Sequence, residues 1–400
     1  MELLLPAGSF EKLQFALAYG ADAVYLGTPS YTLRSGASFS WEDLPAAIRY
    51  AQERGKKAYL TLNAFPHPEA LERLEADLPR IVEAAPDALI VSDPGVIETV
   101  RDLSIPLHLS TQASTVNGKA ARFWARQGIS RIILARELSL DEIERIHREA
   151  PEVELEAFVH GAMCMAYSGR CLISNFLAER DANGGACAQP CRWKYRLVEE
   201  LRPEQALPIE EDEHGSYILN SRDLCMIEHL PRLFASGVVS LKVEGRAKSA
   251  FYVAGVARAY RQALDRLENS KNSEQFEIAD LLAELHRLPH RGYTTGFFFG
   301  KPQGMDHDYA SGMPHRPTKF TGRVLGWEEG WATVQVRDTL HLGDRVELMS
   351  PSTIEGFTIE QMQLGDEAVA VAHPGQIVRL RSPRAEEWSI LRTEGNPCDC

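Results

Sequence analysis

The chain has 400 residues, of which 44% are hydrophobic and 25% charged, with a formal net charge of −13. No apolar run approaches the roughly 18 residues a membrane span requires, and the negative balance disfavours non-specific nucleic-acid binding without excluding a local basic face. The opening MELLLPAGSFEK has neither a basic leader nor a small-residue cleavage site, so it reads as a first strand, and a cytoplasmic location with no membrane partner is expected.

From that first strand onward, short apolar runs alternate with amphipathic stretches. ELLLPAG (2–8) precedes a helical pattern carrying Phe10, Leu13, Ala16 and Leu17, and AVYLG (23–27) closes the unit. KAYLTLNAF (57–65), ALIVSD (88–93), PLHLSTQAS (106–114), RIILARELS (131–139), VELEAFVHG (153–161) and VVSLKVEGR (238–246) complete a set of eight candidate strands. Intervening helices such as DLPAAIRYAQERG and LDEIERIHREAP end on Gly or Pro. This cadence predicts an α/β fold, a TIM-like (β/α)8 barrel, and the absence of GxGxxG after the first strand weakens a dinucleotide fold.

In such barrels the C-terminal strand ends carry the site. Here they are followed by Asn63, Asp93, Ser110, Thr111, Gln112, Arg136, Glu137, His160, Glu244 and Arg246. His160, Arg136, Glu244 and Arg246 are the catalytic candidates; the plainer reading of any one of them is a loop polar group or helix cap.

Between the seventh and eighth runs lies an insertion, about residues 162–237, longer than most connections and therefore expected to be functional. It holds KYRLVEE (194–200) and SYILNSRDLC (216–225), which resemble a hairpin, then a helix from Met226 to Ser236. The barrel domain is expected to run over residues 1–313. Residues 314–393 change texture to short alternating strands with Gly and Pro turns, predicting a small β-barrel domain. Residues 394–400, ending NPCDC, form a tail.

The insertion opens with CMAYSGRCLISNFLAERDANGGACAQPC, four of the chain's seven cysteines, and Cys225 follows. Six residues separate Cys164 from Cys171, fifteen separate Cys171 from Cys187, and three separate Cys187 from Cys191. Thiolates are soft ligands for zinc or iron-sulfur clusters. In a reducing compartment such a group serves metal or redox chemistry more often than disulfides, and seven is an odd number for a disulfide framework. With a single close pair, at a barrel's working face, a cluster fits better than a structural zinc. A hydrolase would pair a cysteine with His160, yet HExxH, GxSxG and a catalytic-cysteine signature are absent from the sequence.

The stretch EAFVHGAMCMAYSGRCLISNFLAERDANGGACAQPCRW, with LLPAGSFEKLQFALAYGADAVYLG, SRDLCMIEHLP, SLKVEGRAKSAFYVAGVARAYRQA and RGYTTGFFFG, resembles the collagenase-like peptidase family U-32 throughout the chain. The resemblance implies RNA hydroxylation rather than proteolysis. In the branch whose length and C-terminal β-domain this chain shares, wobble uridine of tRNA becomes 5-hydroxyuridine without dioxygen, with prephenate as hydroxyl source. It also implies that Cys164, Cys171 and Cys187 hold a 4Fe-4S cluster, the fourth ligand being Cys191 or Cys225.

The expected partner is the tRNA anticodon loop. Arg192, Lys194, Lys242 and Lys248, with Arg196, Arg246, Arg258 and Arg261 nearby in sequence, would form a phosphate-contacting rim, a solvated helix face being the duller explanation. Arg136 and Arg246 would hold two donor carboxylates, and Tyr167, Phe176 and Trp193 would offer stacking rings. A peptidase, and a non-catalytic cluster-binding subunit paired with a paralogue or a second copy, are the alternatives.

Overall fold

The computed structural model describes residues 1–33, 36–163, 167, 173–190, 211–212, 215–216, 222–269, 276–300 and 315–395. Eight parallel strands form the barrel: β1 (Glu2–Pro6), β2 (Ala23–Gly27), β3 (Lys57–Leu62), β4 (Ala88–Val91), β5 (Leu107–Leu109), β6 (Ile129–Ile133), β7 (Glu154–Ala162) and β8 (Val238–Val243). Each pairs with its neighbour, and β8 pairs with both β7 and β1, which closes the sheet. All eight expected strands are present; seven end before the polar residues that follow them, whereas β7 runs to Ala162 and carries His160 within it.

Alternation along the strands separates two environments. Leu3, Leu5, Val24, Leu26 and Leu60 face the helices in the main core, whereas Leu4, Tyr25, Tyr59, Ile90, Ile133 and Phe158 meet in the lumen. Helix starts follow local chemistry. Ser139 and Glu142 form a reciprocal capping box, and Asp93 Oδ1 accepts the Gly95 and Val96 amides at 2.8 and 3.2 Å. Asp93 is thus a helix cap, as the plainer reading allowed.

Below the mouth the lumen is ionic. Glu156, fully buried, accepts Lys242 Nζ at 2.8 Å and lies 3.3 Å from Arg131 Nη1. Arg131 also pairs with Glu2 and Glu154, and Glu2 accepts from Tyr59 at 2.7 Å and Ser240 at 2.8 Å. Burying charge is tolerated only when the charges satisfy one another, and this layer fills the barrel rather than leaving a pore.

The first arm of the hairpin expected in the insertion lies outside the described residues. The second ends in a short strand, Asp223–Cys225, that runs antiparallel to β7 with Cys225 opposite His160. The helix expected from Met226 to Ser236 is a 3₁₀ turn, Ile227–His229, leading into Leu230–Ala235 with a proline in its first turn.

The C-terminal unit is an antiparallel sheet curled over its own core of Val324, Val334, Val336, Leu348, Val378 and Leu380. Its strands are β9 (Thr318–Glu328), β10 (Trp331–Val336), β11 (Arg345–Met349), β12 (Ile354–Thr358), β13 (Met362–Leu364), β14 (Glu367–Ala368), β15 (Ile377–Arg381) and β16 (Ile390–Glu394). They are ordered β12-β11-β16-β9-β10-β15-β13-β14. Tyr19 from the barrel donates to the Met349 and Trp388 carbonyls at 2.8 and 3.0 Å, and buried Arg392 pairs at 2.8 Å with Glu347 and with the barrel's Glu284. Among the described residues no helix is long and apolar enough to cross a membrane.

Candidate functional site

The mouth at the C-terminal strand ends is built from three sets of side chains. On one side are neutral donors and acceptors. Asn63 Nδ2, just past β3, donates to Ser110 Oγ at 3.3 Å and Gln112 Oε1 at 3.4 Å. Gln112 Oε1 also accepts from Ser92 at 3.3 Å and from Ser110. All four are buried, and Asn63 Oδ1 has no hydrogen-bond partner among the described residues.

The floor is aromatic, with cations against it. The Arg136 guanidinium lies 3.9 Å from the centroid of Phe158 and donates to the Ala162 carbonyl at 2.9 Å. Lys242 Nζ stands 4.5 Å from the Tyr25 ring and 5.6 Å from that of Phe158. Arg246 lies 5.7 Å from Tyr25 and donates to Thr32 Oγ1 at 2.5 Å and Thr61 Oγ1 at 3.1 Å. Cations over ring faces are electrostatically favourable, more so when desolvated.

Arg246 reaches that position because β2 ends in glycine. A Cβ on Gly27 would stand 2.5 Å from Thr61 Oγ1 and 2.9 Å from Arg246 Nη1. Thr32, Thr61 and Gly27 were not among the sequence-derived candidates; the Gly closing AVYLG was the available signal.

The third set overhangs the mouth. The Asn183 carbonyl accepts the Phe65 amide at 3.3 Å, and Gly185, at φ +102°, packs so closely on the Thr32 carbonyl that a Cβ would come within 2.3 Å. Only glycine accommodates both the backbone conformation and that approach. Cys187 follows, half-buried, with its sulfur accepting the Gln189 amide at 3.3 Å.

Cys225 differs. Its sulfur is buried 4.0 Å from the Tyr260 hydroxyl, and burial pushes the thiol up to about 12. Tyr260 donates to the Val159 carbonyl at 2.8 Å and stands 3.5 Å from His160 Nδ1. Cys164, Cys171, Cys191, Arg192, Lys194, Trp193 and Arg196, and the side chain of Phe176, lie outside the described residues. Tyr167 is exposed.

Several candidates take other places than the sequence suggested. Lys242 does not belong to a phosphate-contacting rim: it is 4% exposed, turned into the lumen by the alternation of β8 and held by Glu156. Arg258 donates to the Ser350 and Ser352 carbonyls of the C-terminal unit, and Arg261 pairs with Asp22 and Asp265, so the helix Ala250–Asn269 carries both away from the mouth. Lys248 is half-buried, 5.2 Å from the Tyr252 ring. Glu244 is half-buried; its amide extends the β7–β8 ladder to the His160 carbonyl at 2.9 Å.

His160 is not presented to the mouth as a base. Its ring packs between Tyr252, Tyr260 and Tyr293, and burial holds it neutral, with a pKa pushed down to about 3 from the ordinary 6.5. His108, in the lumen, is depressed for the same reason, aided by Arg131. The unfolded chain takes up these protons first, so the stability they contribute is complete above pH 6.5 and falls as the pH drops toward the folded pKa. Going from pH 7.5 to 5 should cost about 2 kcal/mol for His160. Urea unfolding at both pH values should show His160→Gln with a correspondingly flatter pH dependence; an identical dependence in the variant would contradict this.

A packed parallel barrel with polar groups converging on its C-terminal mouth, overhung by a thiol-bearing segment, defines an α/β-barrel enzyme. The sequence matches peptidase family U32 over residues 8–308 and the C-terminal domain of that family over residues 316–392, and the chain belongs to this family. It is 41% identical over 407 residues to tRNA hydroxylation protein P of Escherichia coli (strain K12), covering 90% of this chain and 89% of that protein. It is 40% identical over 390 residues to tRNA hydroxylation protein P1 of Bacillus subtilis (strain 168), covering 95% and 91%. A collagenase of Porphyromonas gingivalis (strain ATCC BAA-308 / W83) is 31% identical over 378 residues, covering 90% and 89%.

Proposed function

We propose that this chain hydroxylates tRNA, converting the wobble uridine to 5-hydroxyuridine with a prephenate-type hydroxyl donor and without dioxygen. The carrying observation is the mouth itself, where Arg136 and Arg246 flank an aromatic floor opposite the neutral set of Asn63, Ser92, Ser110 and Gln112. Two guanidinium forks suit a small dicarboxylate. The amide and hydroxyl groups suit the hydrogen-bonding edge of a pyrimidine splayed out of its loop. The relatives named for tRNA hydroxylation support the same reading.

Replacing C5–H by C5–OH is a two-electron oxidation of the base, and side-chain acid/base groups alone do not perform it. The net transfer, base C5–H plus donor C–OH giving base C5–OH plus donor C–H, makes the hydroxyl donor the two-electron acceptor, and a 4Fe-4S cluster, held by four of Cys164, Cys171, Cys187, Cys191 and Cys225, would relay the electrons. Of the described thiols, Cys187 has its sulfur hydrogen-bonded by a backbone amide, whereas Cys225 is buried beside β7, where desolvation opposes the thiolate a ligand must be. The chain's own residues bind the donor at Arg136 and Arg246, orient the base against Asn63 and Gln112, and exclude water with the segment anchored through Asn183 and Gly185.

Anaerobic purification should yield a brown protein with about four iron and four sulfide per chain. A colourless, iron-free protein with stoichiometric zinc would remove the cluster. Mass spectrometry of tRNA nucleosides from a deletion strain should show loss of 5-hydroxyuridine derivatives, and retention would remove the substrate.

The collagenase relative favours a peptidase as second reading. A Cys164–His160 pair would need His160 as a titratable base, and burial opposes that, moving the imidazole to about 3. Turnover of collagen-like peptides that Cys164→Ala abolishes in a folded chain would restore the peptidase.

A further inference from the structure

The outer face of the C-terminal sheet carries an arginine–tryptophan surface that the mouth does not use. On β10, Ala332, Val334 and Val336 point into the core while Trp331, Thr333 and Gln335 point out; on β15, Val378 and Leu380 point in while Ile377, Arg379 and Arg381 point out. The register sets Trp331 opposite Arg381, Thr333 opposite Arg379 and Gln335 opposite Ile377. Both guanidiniums lie against the indole, Arg379 at 5.5 Å and Arg381 at 5.8 Å from its centroid. Arg381 donates once to the Glu329 carbonyl at 2.9 Å, and no carboxylate pairs with either arginine among the described residues. In a chain of net charge −13, two neighbouring arginines that form no ion pair among the described residues flank an aromatic ring.

This face leads back to the barrel mouth. On the neighbouring strand β9, Glu328 stands opposite Trp331 and Arg323 opposite Gln335, and Arg323 and Arg337 both pair with Glu11. Glu11 adjoins Lys12, whose Nζ donates to the carbonyl of Arg246 at 2.9 Å.

We infer that the sheet face around Trp331, Arg379 and Arg381 docks the RNA strand running from the mouth, the arginines contacting phosphates and the indole stacking on a base. The inference rests on the tRNA reading above. A phosphate backbone is the complement of unpaired guanidiniums, and an aromatic ring between them is the recurring platform for single-stranded nucleic acid.

The test is tRNA binding by the full chain, measured by fluorescence anisotropy across a salt series. The double variant Arg379→Ala/Arg381→Ala should bind roughly tenfold more weakly, with the slope of log affinity against log salt reduced by about 0.7 per lost contact. Trp331→Ala should weaken binding while leaving the slope unchanged. Arg54→Ala, which removes an arginine lying 3.5 Å from the Tyr50 ring on the barrel wall, should change neither. A wild-type chain that binds tRNA, with both C-terminal variants indistinguishable from it in affinity and slope, overturns the inference alone. A wild-type chain that does not bind tRNA overturns the inference together with the reading on which it rests.

Discussion

Arg246→Ala is expected to lower the proposed wobble-uridine hydroxylation by roughly 100-fold or more, the scale of removing one charge-assisted, preorganised donor from a desolvated site. The reason is positional. Arg246 sits 4% exposed at the end of β8, its guanidinium fixed by Thr32 and Thr61 and backed by Tyr25. Little reorganisation is then needed when an anion arrives. Arg246→Lys keeps the charge but loses the planar fork, and should recover less than a tenth of the wild-type rate. If Arg246 holds the hydroxyl donor, these variants raise the KM for the donor and leave tRNA affinity near wild type. A variant with full activity would remove Arg246 from the site. Equal loss of donor and tRNA binding in a folded chain would reassign it to maintaining the mouth. Asp93→Ala provides the contrast. It removes a helix cap, costs about 1 kcal/mol of stability, and should leave the chemistry intact.

The second large effect is on stability. Glu156→Leu would leave the Lys242 ammonium in the lumen without its carboxylate, against the Tyr25 and Phe158 rings. Burial already lowers the Lys242 pKa, with Glu156 opposing that shift. Breaking one side of a buried pair typically costs about 3–5 kcal/mol, whereas replacing both sides by apolar groups is often close to neutral. The expected result is therefore a marked loss of urea resistance in Glu156→Leu and substantial recovery in Glu156→Leu/Lys242→Met. Absence of recovery would mean that Arg131, 3.3 Å from Glu156, dominates the layer. The double variant also separates the two roles proposed for Lys242. A lysine confined to the lumen predicts unchanged tRNA affinity, and a lysine on the rim predicts a loss.

The eight barrel strands were legible because a buried parallel strand must be an unbroken apolar run, and each run here is followed by a polar residue or turn. The same rule located Asn63, Ser110, Gln112, Arg136 and Arg246 at one end of the barrel, since all strands point the same way. The capping box at Ser139 and Glu142 could be read from residue spacing alone.

Other features were settled only in three dimensions. Whether a lysine on a strand faces lumen or solvent depends on how that strand closes against its neighbours, and β8, whose Ser240 stands opposite Glu156 of β7, turns Lys242 two residues on toward that same carboxylate. Whether a histidine at a strand end is a base or a packed ring depends on the distant helix Ala250–Asn269, which brings Tyr252 and Tyr260 against His160. Those partners lie nearly a hundred residues away along the chain, so no local pattern encodes the contact. The sequence by itself determined the strand cadence, the family motif and the end of the barrel that carries polar groups, because these are periodic and local. Tertiary structure decided which of those groups are desolvated, paired or left facing the mouth, because burial and charge compensation depend on segments that meet only after the barrel closes.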